Sequence, residues 1–344
     1  MRVLFVTKPH LPLIGGAQLT DRQMALALLA RGHDVTVLCP VGPRGRATDV
    51  GVDGSTGYPT LRQTDIVPAL EDLLRRRPPD VAVLGGHVDG LNGASDAMLD
   101  ELARRRVPTV LYLHDMLSVE LAARPLARVL AASRFLAAAA PRGVEVEVLP
   151  PVVDRRRYAV ATSRRTALFV NPVAKKGLAT ALELAARLPQ IPFAFNRCWW
   201  IAPDDLAALS DAVRRLPNLE LRDEVAGPAA LYGDARVLLV PSAAPEGFGR
   251  VAREAQCAGI PVIAAATGGL PEAVGAGGVL VDPSAGLAGW SAALTRVWHD
   301  SDEYARLRQA ALRQAENPAC SPERVGARLD EIVREAGSRR LGWT

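Results

Sequence analysis

Lysine is almost missing from this chain: Lys8, Lys175 and Lys176 are its only examples, and arginine supplies the rest of the 41 basic residues. Cysteine is scarce too. Cys39, Cys198, Cys257 and Cys320 stand far apart and form no C-x-x-C, which argues against both a zinc site and a disulfide framework. Aromatic residues make up 5%, and none interleave with the arginine clusters at 75–77, 104–106 and 155–157. Those clusters read as solvated helix ends and loops. With 41 basic against 37 acidic residues, a net charge of +4, the chain lacks the basic stripe and stacking rings that nucleic-acid binding needs. It also has no run of about 18 apolar residues, the length that spans a bilayer. The Ala-rich stretch Leu126 to Ala140 comes nearest, and Arg128 and Arg134 interrupt it. The opening Met1–Thr7 reads as a strand, too soon followed by Pro9 and Pro12 to be a signal peptide. The cytoplasm is therefore the expected compartment.

What is present is ordinary globular material. The 344 residues are 49% hydrophobic and 23% charged, which argues against disorder, and the length suits two domains with separate cores. Val3–Val6, Asp34–Leu38, Val81–Leu84 and Thr109–Leu113 are short β-rich runs, as in strands buried on both faces of a parallel sheet. Between the first two, Ala17–Arg31 carries apolar residues at helical spacing and is closed by Gly32 at a helix C′ position. The rhythm pauses at Leu149-Pro150-Pro151 and through the polar residues 154–165. It restarts with strands at 167–170, 192–195, 237–240 and 261–265. Helices are expected at 178–188, 250–258, 287–299, 302–316 and 322–336. This α/β pattern predicts two doubly wound, Rossmann-like domains, 1–155 and 156–320. A C-terminal helix and tail, 321–344, is expected to pack back toward the first domain. Ligands of such folds bind outside the carboxyl ends of the strands, so a cleft facing both sheets is the expected site.

The chemistry concentrates in the stretch from Pro241 to Glu254, directly after a buried strand. Gly247 and Gly249 make a turn whose backbone N–H groups can approach a ligand closely. A helix begins near Arg250, and its positive end suits a phosphate. Glu246 and Glu254 stand eight positions apart, and both can point to the mouth of the cleft as acceptors for hydroxyls. Hydroxyls, a diphosphate and more hydroxyls describe a nucleotide sugar. Taken alone, each glutamate is equally an unremarked loop or exposed helix residue; the ordered combination of strand, Pro-Ser, Glu, Gly-x-Gly and Glu is not.

The segment Val237 to Pro283 resembles the donor-binding core of retaining glycosyltransferases of family 4, which have the GT-B fold. The E-x₇-E motif stands as Glu246 and Glu254, followed by Ala258-Gly259-Ile260-Pro261-Val262-Ile263 and Gly268-Gly269-Leu270-Pro271-Glu272. The resemblance runs through nearly the whole chain: Ile14-Gly15-Gly16-Ala17, Arg31-Gly32-His33-Asp34-Val35-Thr36-Val37 and Tyr112-Leu113-His114-Asp115 are similar to the family's first glycine loop, second strand and His-Asp strand end.

The resemblance implies roles residue by residue. Glu246 would hydrogen-bond hydroxyls of the transferred sugar, and Glu254 the nucleotide ribose. N–H groups of Gly247, Phe248 and Gly249 would hold the sugar and diphosphate, with Val251 in the same donor-binding set. Gly15 and Gly16 would belong to that set from the first domain, Gly16 touching the phosphates. His114 would sit near the anomeric centre; on its own it reads equally as a satisfied histidine at a strand end. Lys176 matches a family lysine that binds the diphosphate. Asn171 departs from the pattern, standing where the family has an arginine, and so removes a charge from the phosphate site. Lys175 is open to two readings, solvated or functional.

Other signals carry less. Asp300-Ser301-Asp302 is a D-x-D triplet, but it lies between helical segments with Ser301 placed to cap the second, so no metal is expected. Gly51–Gly57 reads as a surface loop. No G-x-G-x-x-G follows Val3–Val6, which argues against a dinucleotide cofactor. Trp199 and Trp200 either line the nucleotide pocket or pack a domain edge. The expected reaction is metal-independent transfer from a UDP- or GDP-type sugar to a small acceptor, with retention by a front-face mechanism and no cofactor besides the donor. Two rivals stand beside it: an epimerase or hydrolase of the same fold, and a non-catalytic nucleotide-sugar-binding protein. The arginine-rich, lysine-poor composition points to a high-GC bacterium and a role in specialised metabolism.

Overall fold

The computed structural model describes residues 1–12, 14–42, 51–86, 94–198, 201–225 and 227–338. Two compact units emerge, Met1–Val152 together with the segment that begins at Ala319, and Val153–Pro318. Both divisions fall slightly before the expected 155 and 320.

The first unit runs β1 (Arg2–Val6), α1 (Gly16–Leu29), β2 (Asp34–Pro40), β3 (Gly51–Asp53), β4 (Thr60–Gln63), α2 (Ile66–Arg76), β5 (Val81–Leu84), α3 (Ala94–Arg104), β6 (Thr109–Leu113), β7 (Arg128–Ala131), α4 (Arg134–Ala139) and β8 (Val146–Val148). Its strands form one sheet in the order β3-β4-β2-β1-β5-β6-β7-β8, parallel except for β3 against β4. All of β5 and β6, and all but the first residue of β1, are buried, as the continuous apolar runs require. α1 ends at Leu29 with Ala30 as its cap. Gly32 comes two residues later, at φ +82°, its N–H donating to the Leu29 carbonyl at 2.9 Å; it is not the C′ residue itself. Gly51–Gly57 is likewise not simply a loop. Gly51–Asp53 pairs with β4, Arg62 reaches Asp53 at 2.8 Å, and Thr56 and Tyr58 are buried. A three-residue edge strand is too short to show a period of two.

The second unit runs α5 (Arg155–Tyr158), β9 (Thr166–Val170), α6 (Leu178–Arg187), β10 (Phe193–Asn196), α7 (Pro203–Arg215), β11 (Leu219–Arg222), α8 (Pro228–Tyr232), β12 (Ala235–Val240), α9 (Arg250–Cys257), β13 (Val262–Ala265), α10 (Leu270–Val274), β14 (Gly278–Val281), α11 (Gly286–His299) and α12 (Ser301–Ala315). Every strand pairing is parallel, in the order β11-β10-β9-β12-β13-β14, the doubly wound arrangement of nucleotide-binding sheets. Phe169, Phe193 and Phe195 pack edge to face in its core, with centroids 5.1 and 6.4 Å apart. α12 is capped by Asp300, which accepts from the N–H groups of Asp302 and Glu303, and not by Ser301, its first helical residue.

The last helix, α13 (Pro322–Ser338), returns to the first unit. It lies against α1, where Arg31 donates to the Glu323 carbonyl at 3.1 Å. Farther along, His33 meets Asp330 at 2.6 Å and Arg328 meets Glu147 at 2.6 Å. Val325, Leu329, Ile332, Val333 and Ala336 form its buried stripe.

Candidate active site

Each sheet reverses its strand order once, between β1 and β5 in the first unit and between β9 and β12 in the second. Such a switch point leaves a crevice outside the carboxyl ends of the two strands. In the second unit, β9 delivers residues 171–177 to that place and β12 delivers 241–249. There Lys176 Nζ donates to Glu246 Oε1 at 2.6 Å. The buried Ser242 donates its hydroxyl to the same oxygen at 2.6 Å. Among the described residues nothing donates to Glu246 Oε2, so one side of the carboxylate is anchored and the other is an open acceptor. The pair is largely shielded, with 23% and 13% of the two side chains exposed, where charges interact more strongly than in bulk water.

Backbone contacts hold these loops together. The N–H groups of Ala243 and Ala244 donate to the Lys175 carbonyl at 3.1 and 3.3 Å, and the Gly269 N–H donates to the Glu246 carbonyl at 2.7 Å. Gly177 sits at φ +88°, and a Cβ there would lie 1.9 Å from the Pro241 carbonyl oxygen. Only glycine permits both that angle and that approach. Gly249, at φ +98°, is the N-cap of α9. The loop Gly247-Phe248-Gly249 therefore enters the helix at its positive end. Phe248 is buried and Val251 half-buried in the first turn.

Asn171 adopts φ +58°, a left-handed conformation that asparagine tolerates better than most residues. Its side-chain oxygen accepts from the Cys198 N–H at 3.0 Å, so it serves the turn out of β10. Lys175 is exposed.

Glu254 is only 5% exposed, neither an open acceptor nor a surface residue. Arg250 Nε donates to its Oε1 at 2.9 Å and the Tyr232 hydroxyl to its Oε2 at 2.9 Å. Burial, then the neighbouring carboxylate, push the Tyr232 hydroxyl well above its ordinary range. Burial alone would lower the Arg250 guanidinium, but the Glu254 charge and Tyr158 outweigh it and raise it. From the sequence, Arg250 and Tyr232 have no role in the site, and Ser242 enters only as part of the Pro-Ser step. The Arg250–Glu254 pair left a readable trace in its i, i+4 spacing.

In the first unit Gly15 is the buried N-cap of α1 and Gly16 its exposed first residue. His114, just past β6, directs Nε2 to Asp21 Oδ1 at 2.9 Å. Thr7, just past β1, donates its hydroxyl to Asp21 Oδ2. Lys8 meets Asp115 at 2.6 Å. Burial raises the Asp115 carboxyl, but the Lys8 ammonium and the Ser118 hydroxyl outweigh it and hold it below the usual range. Asp21 and Thr7 are further residues that sequence reasoning missed. Asp21 left one signal, a carboxylate on the face of α1 that carries Met24, Ala25 and Leu28.

A cavity of about 440 Å³ opens between α2 and the strands β1, β2 and β4, lined by Arg2, Asp34, Leu61, Leu73 and Arg77 among others. None of the residues above lines it. No group of three or more His, Cys, Asp or Glu able to hold a metal occurs among the described residues, and no described helix is long and apolar enough to cross a membrane. The four cysteines are free thiols. Trp199 and Trp200 lie outside the described residues.

Comparison with known proteins agrees with this layout. Residues 14–157 match the family model described as Glycosyltransferase Family 4, and residues 199–314 match that of Glycosyl transferases group 1. Glycosyltransferase family models thus match both parts of the chain, and its fold is that of GT-B structures. D-inositol 3-phosphate glycosyltransferases of Salinispora tropica and Thermobispora bispora are 43% identical over 111 residues and 40% identical over 143. Those stretches cover 32% and 39% of this chain but only 22% and 31% of the relatives' own length. Among solved structures, Anabaena HepE in complex with UDP-glucose superposes with a TM-score of 0.79 at 18% identity, over 97% of this chain and 99% of that one. AviGT4, a glycosyltransferase involved in avilamycin A biosynthesis, does so with 0.67 at 21% identity, over 98% of each. At these identities the likeness is one of fold.

Proposed function

We propose that the chain transfers a sugar from a nucleotide-diphosphate sugar of the UDP or GDP type to a hydroxyl of a small acceptor, with retention and without a metal ion or further cofactor. The observation that carries this reading is the Lys176–Glu246 pair at 2.6 Å, set at the switch point of the second sheet beside the positive end of α9. Glu246 accepts hydroxyl hydrogens of the sugar. Lys176 and the N–H groups of Gly247, Phe248 and Gly249 oppose the diphosphate charge, with Val251 in the same turn. Glu254 is assigned to the ribose: both its oxygens are bonded, yet a carboxylate offers about four lone-pair positions. Asn171 brings no charge, so the leaving group depends on Lys176 and the helix end. Gly15, Gly16 and His114 keep the roles the resemblance gives them. HepE, bound to UDP-glucose, supports a nucleotide-sugar donor, and the likeness in fold to AviGT4, involved in avilamycin A biosynthesis, is compatible with a biosynthetic role. The free thiols fit a reducing compartment such as the cytoplasm.

In the proposed step the bond from the anomeric carbon to the diphosphate oxygen breaks and a bond to the acceptor oxygen forms on the same face. The acceptor's proton passes to the departing phosphate oxygen. The products are a glycoside and a nucleoside diphosphate. No carboxylate nucleophile is needed; the protein positions the groups and stabilises the leaving charge.

The test is product analysis with a panel of nucleotide sugars, with and without hydroxyl acceptors. Expected are a glycoside of the donor's anomeric configuration and release of the diphosphate, both reduced by roughly 10²-fold or more in Glu246→Ala with an unchanged circular dichroism spectrum. Full activity in that variant would sink the assignment. Free sugar or an epimer without acceptor would instead identify a hydrolase or epimerase using the same donor contacts. The neutral Asn171, engaged with Cys198, favours one further reading, a binding protein without transfer; donor binding with no turnover across the panel would establish it.

A further inference from the structure

The carboxylate of Asp21 stands where α1 should carry hydrocarbon. The helix turns Asp21, Met24, Ala25 and Leu28 inward, and Asp21 is 1% exposed. A buried carboxylate is costly unless its oxygens are bonded, and both are. The Thr7 hydroxyl takes Oδ2, and His114 Nε2 takes Oδ1 at 2.9 Å. Gly85, just past β5, leaves the room this needs: a Cβ there would lie 3.1 and 3.3 Å from the two carboxylate oxygens and 3.2 Å from the Thr7 hydroxyl. The imidazole is fixed from a second side by Tyr112, whose ring centroid is 4.7 Å away and whose own hydroxyl is held by the Leu149 carbonyl at 2.8 Å.

A carboxylate can only accept, so the His114 nitrogen facing it must carry the hydrogen. We propose that Asp21 is a positioning residue for His114, fixing the Nε2–H tautomer so that Nδ1 keeps a lone pair with which to accept the hydrogen of a substrate hydroxyl. The inference rests on the reading that His114 touches the sugar. Thr7 acts one step further out, holding the second carboxylate oxygen so that the first stays aimed at the ring. The other tautomer would set the Nε2 lone pair against the Asp21 carboxylate and leave Nδ1 as a donor, unable to accept the hydroxyl hydrogen.

The experiment combines ¹⁵N-histidine NMR with steady-state kinetics on the full chain. There are five histidines, and the His114 signals are those lost in His114→Gln. The wild type is expected to show His114 as the Nε2–H tautomer alone. Asp21→Asn has the same shape but offers the ring either an oxygen or an N–H, so both tautomers should appear. kcat should fall roughly ten- to a hundredfold, as for a misplaced reacting group, with the donor KM changed less than about threefold. Should Asp21→Asn not fold, Thr7→Val keeps the carboxylate and must still lower kcat with circular dichroism unchanged. A wild type in the Nδ1–H form overturns the proposal, as does Asp21→Asn with mixed tautomers and undiminished kcat. Failure of the underlying functional reading is distinguishable: the wild type would show no turnover while the tautomer contrast between the two proteins remained.

Discussion

Asn171 shows how one backbone angle can decide a residue. At φ +58° an alanine or arginine is strained by about 1–2 kcal/mol, whereas glycine is not. Asn171→Ala should therefore cost about 1 kcal/mol more stability than Asn171→Gly in urea denaturation, although both lose the bond to Cys198; equal costs would contradict the account. The left-handed backbone and the bond to Cys198 thus give this asparagine a local role that no spacing in the sequence exposes. His10 makes a second case. Its ring is fully buried and bonded to the Tyr58 hydroxyl at 2.8 Å, and burial, with Arg62 nearby, holds its imidazole below the ordinary 6.5 despite the Asp21 charge. The unfolded chain takes up a proton near pH 6.5 that the folded chain refuses, so this contribution to stability is lost as the pH falls below 6.5, until the folded value is reached. Thermal unfolding at a series of pH values should show a shallower acid decline in His10→Gln than in the wild type. Glu246 could be read from its place in the loop after a buried strand, and Lys176 from the family resemblance. The partners of Glu254 and His114 could not, since Tyr232 and Asp21 meet them only through the folding of separate elements.

At the scale of elements, the strands in the middle of each sheet could be read from short continuous apolar runs, while β3, β4, β7, β8, β11 and β14, which lie toward the sheet edges, could not, most of them being only partly buried. The start of α12 was misplaced by a single cap because Asp300 and Ser301 are both good N-cap types, and only the hydrogen bonds choose between them. What Gly177 does in the β9–α6 connection could not be read. Gly177 looks like any glycine before a helix, yet its Cα lies against Pro241 at the end of β12. Gly177→Ala should destabilise the chain by at least about 2 kcal/mol through strain and displacement, and should separate Lys176 from Glu246. Chemical denaturation with a parallel donor-binding assay checks both. A variant of wild-type stability and affinity would mean that this contact does not set the site.

At the scale of the whole chain, two sheets with the same reversal of strand order each gather polar side chains outside the carboxyl ends of their strands. The first gathers Thr7, Asp21 and His114, the second Lys176, Ser242 and Glu246. α13 joins the first unit through residues far from it in sequence, an attachment suggested by the helix's apolar stripe but fixed by partners such as His33 and Glu147. The central claim is that the second unit holds a nucleotide-diphosphate sugar at Lys176 and Glu246. Its most direct test is the thermal unfolding of wild type, Lys176→Met and Glu246→Ala against UDP, GDP, ADP and TDP and their sugars. One nucleotide should stabilise the wild type by roughly 2.7 kcal/mol at a hundred times its dissociation constant. Lys176→Met should lose most of that gain, and Glu246→Ala only the increment added by the sugar. No shift with any nucleotide, or the same shift in all three proteins, would contradict the claim.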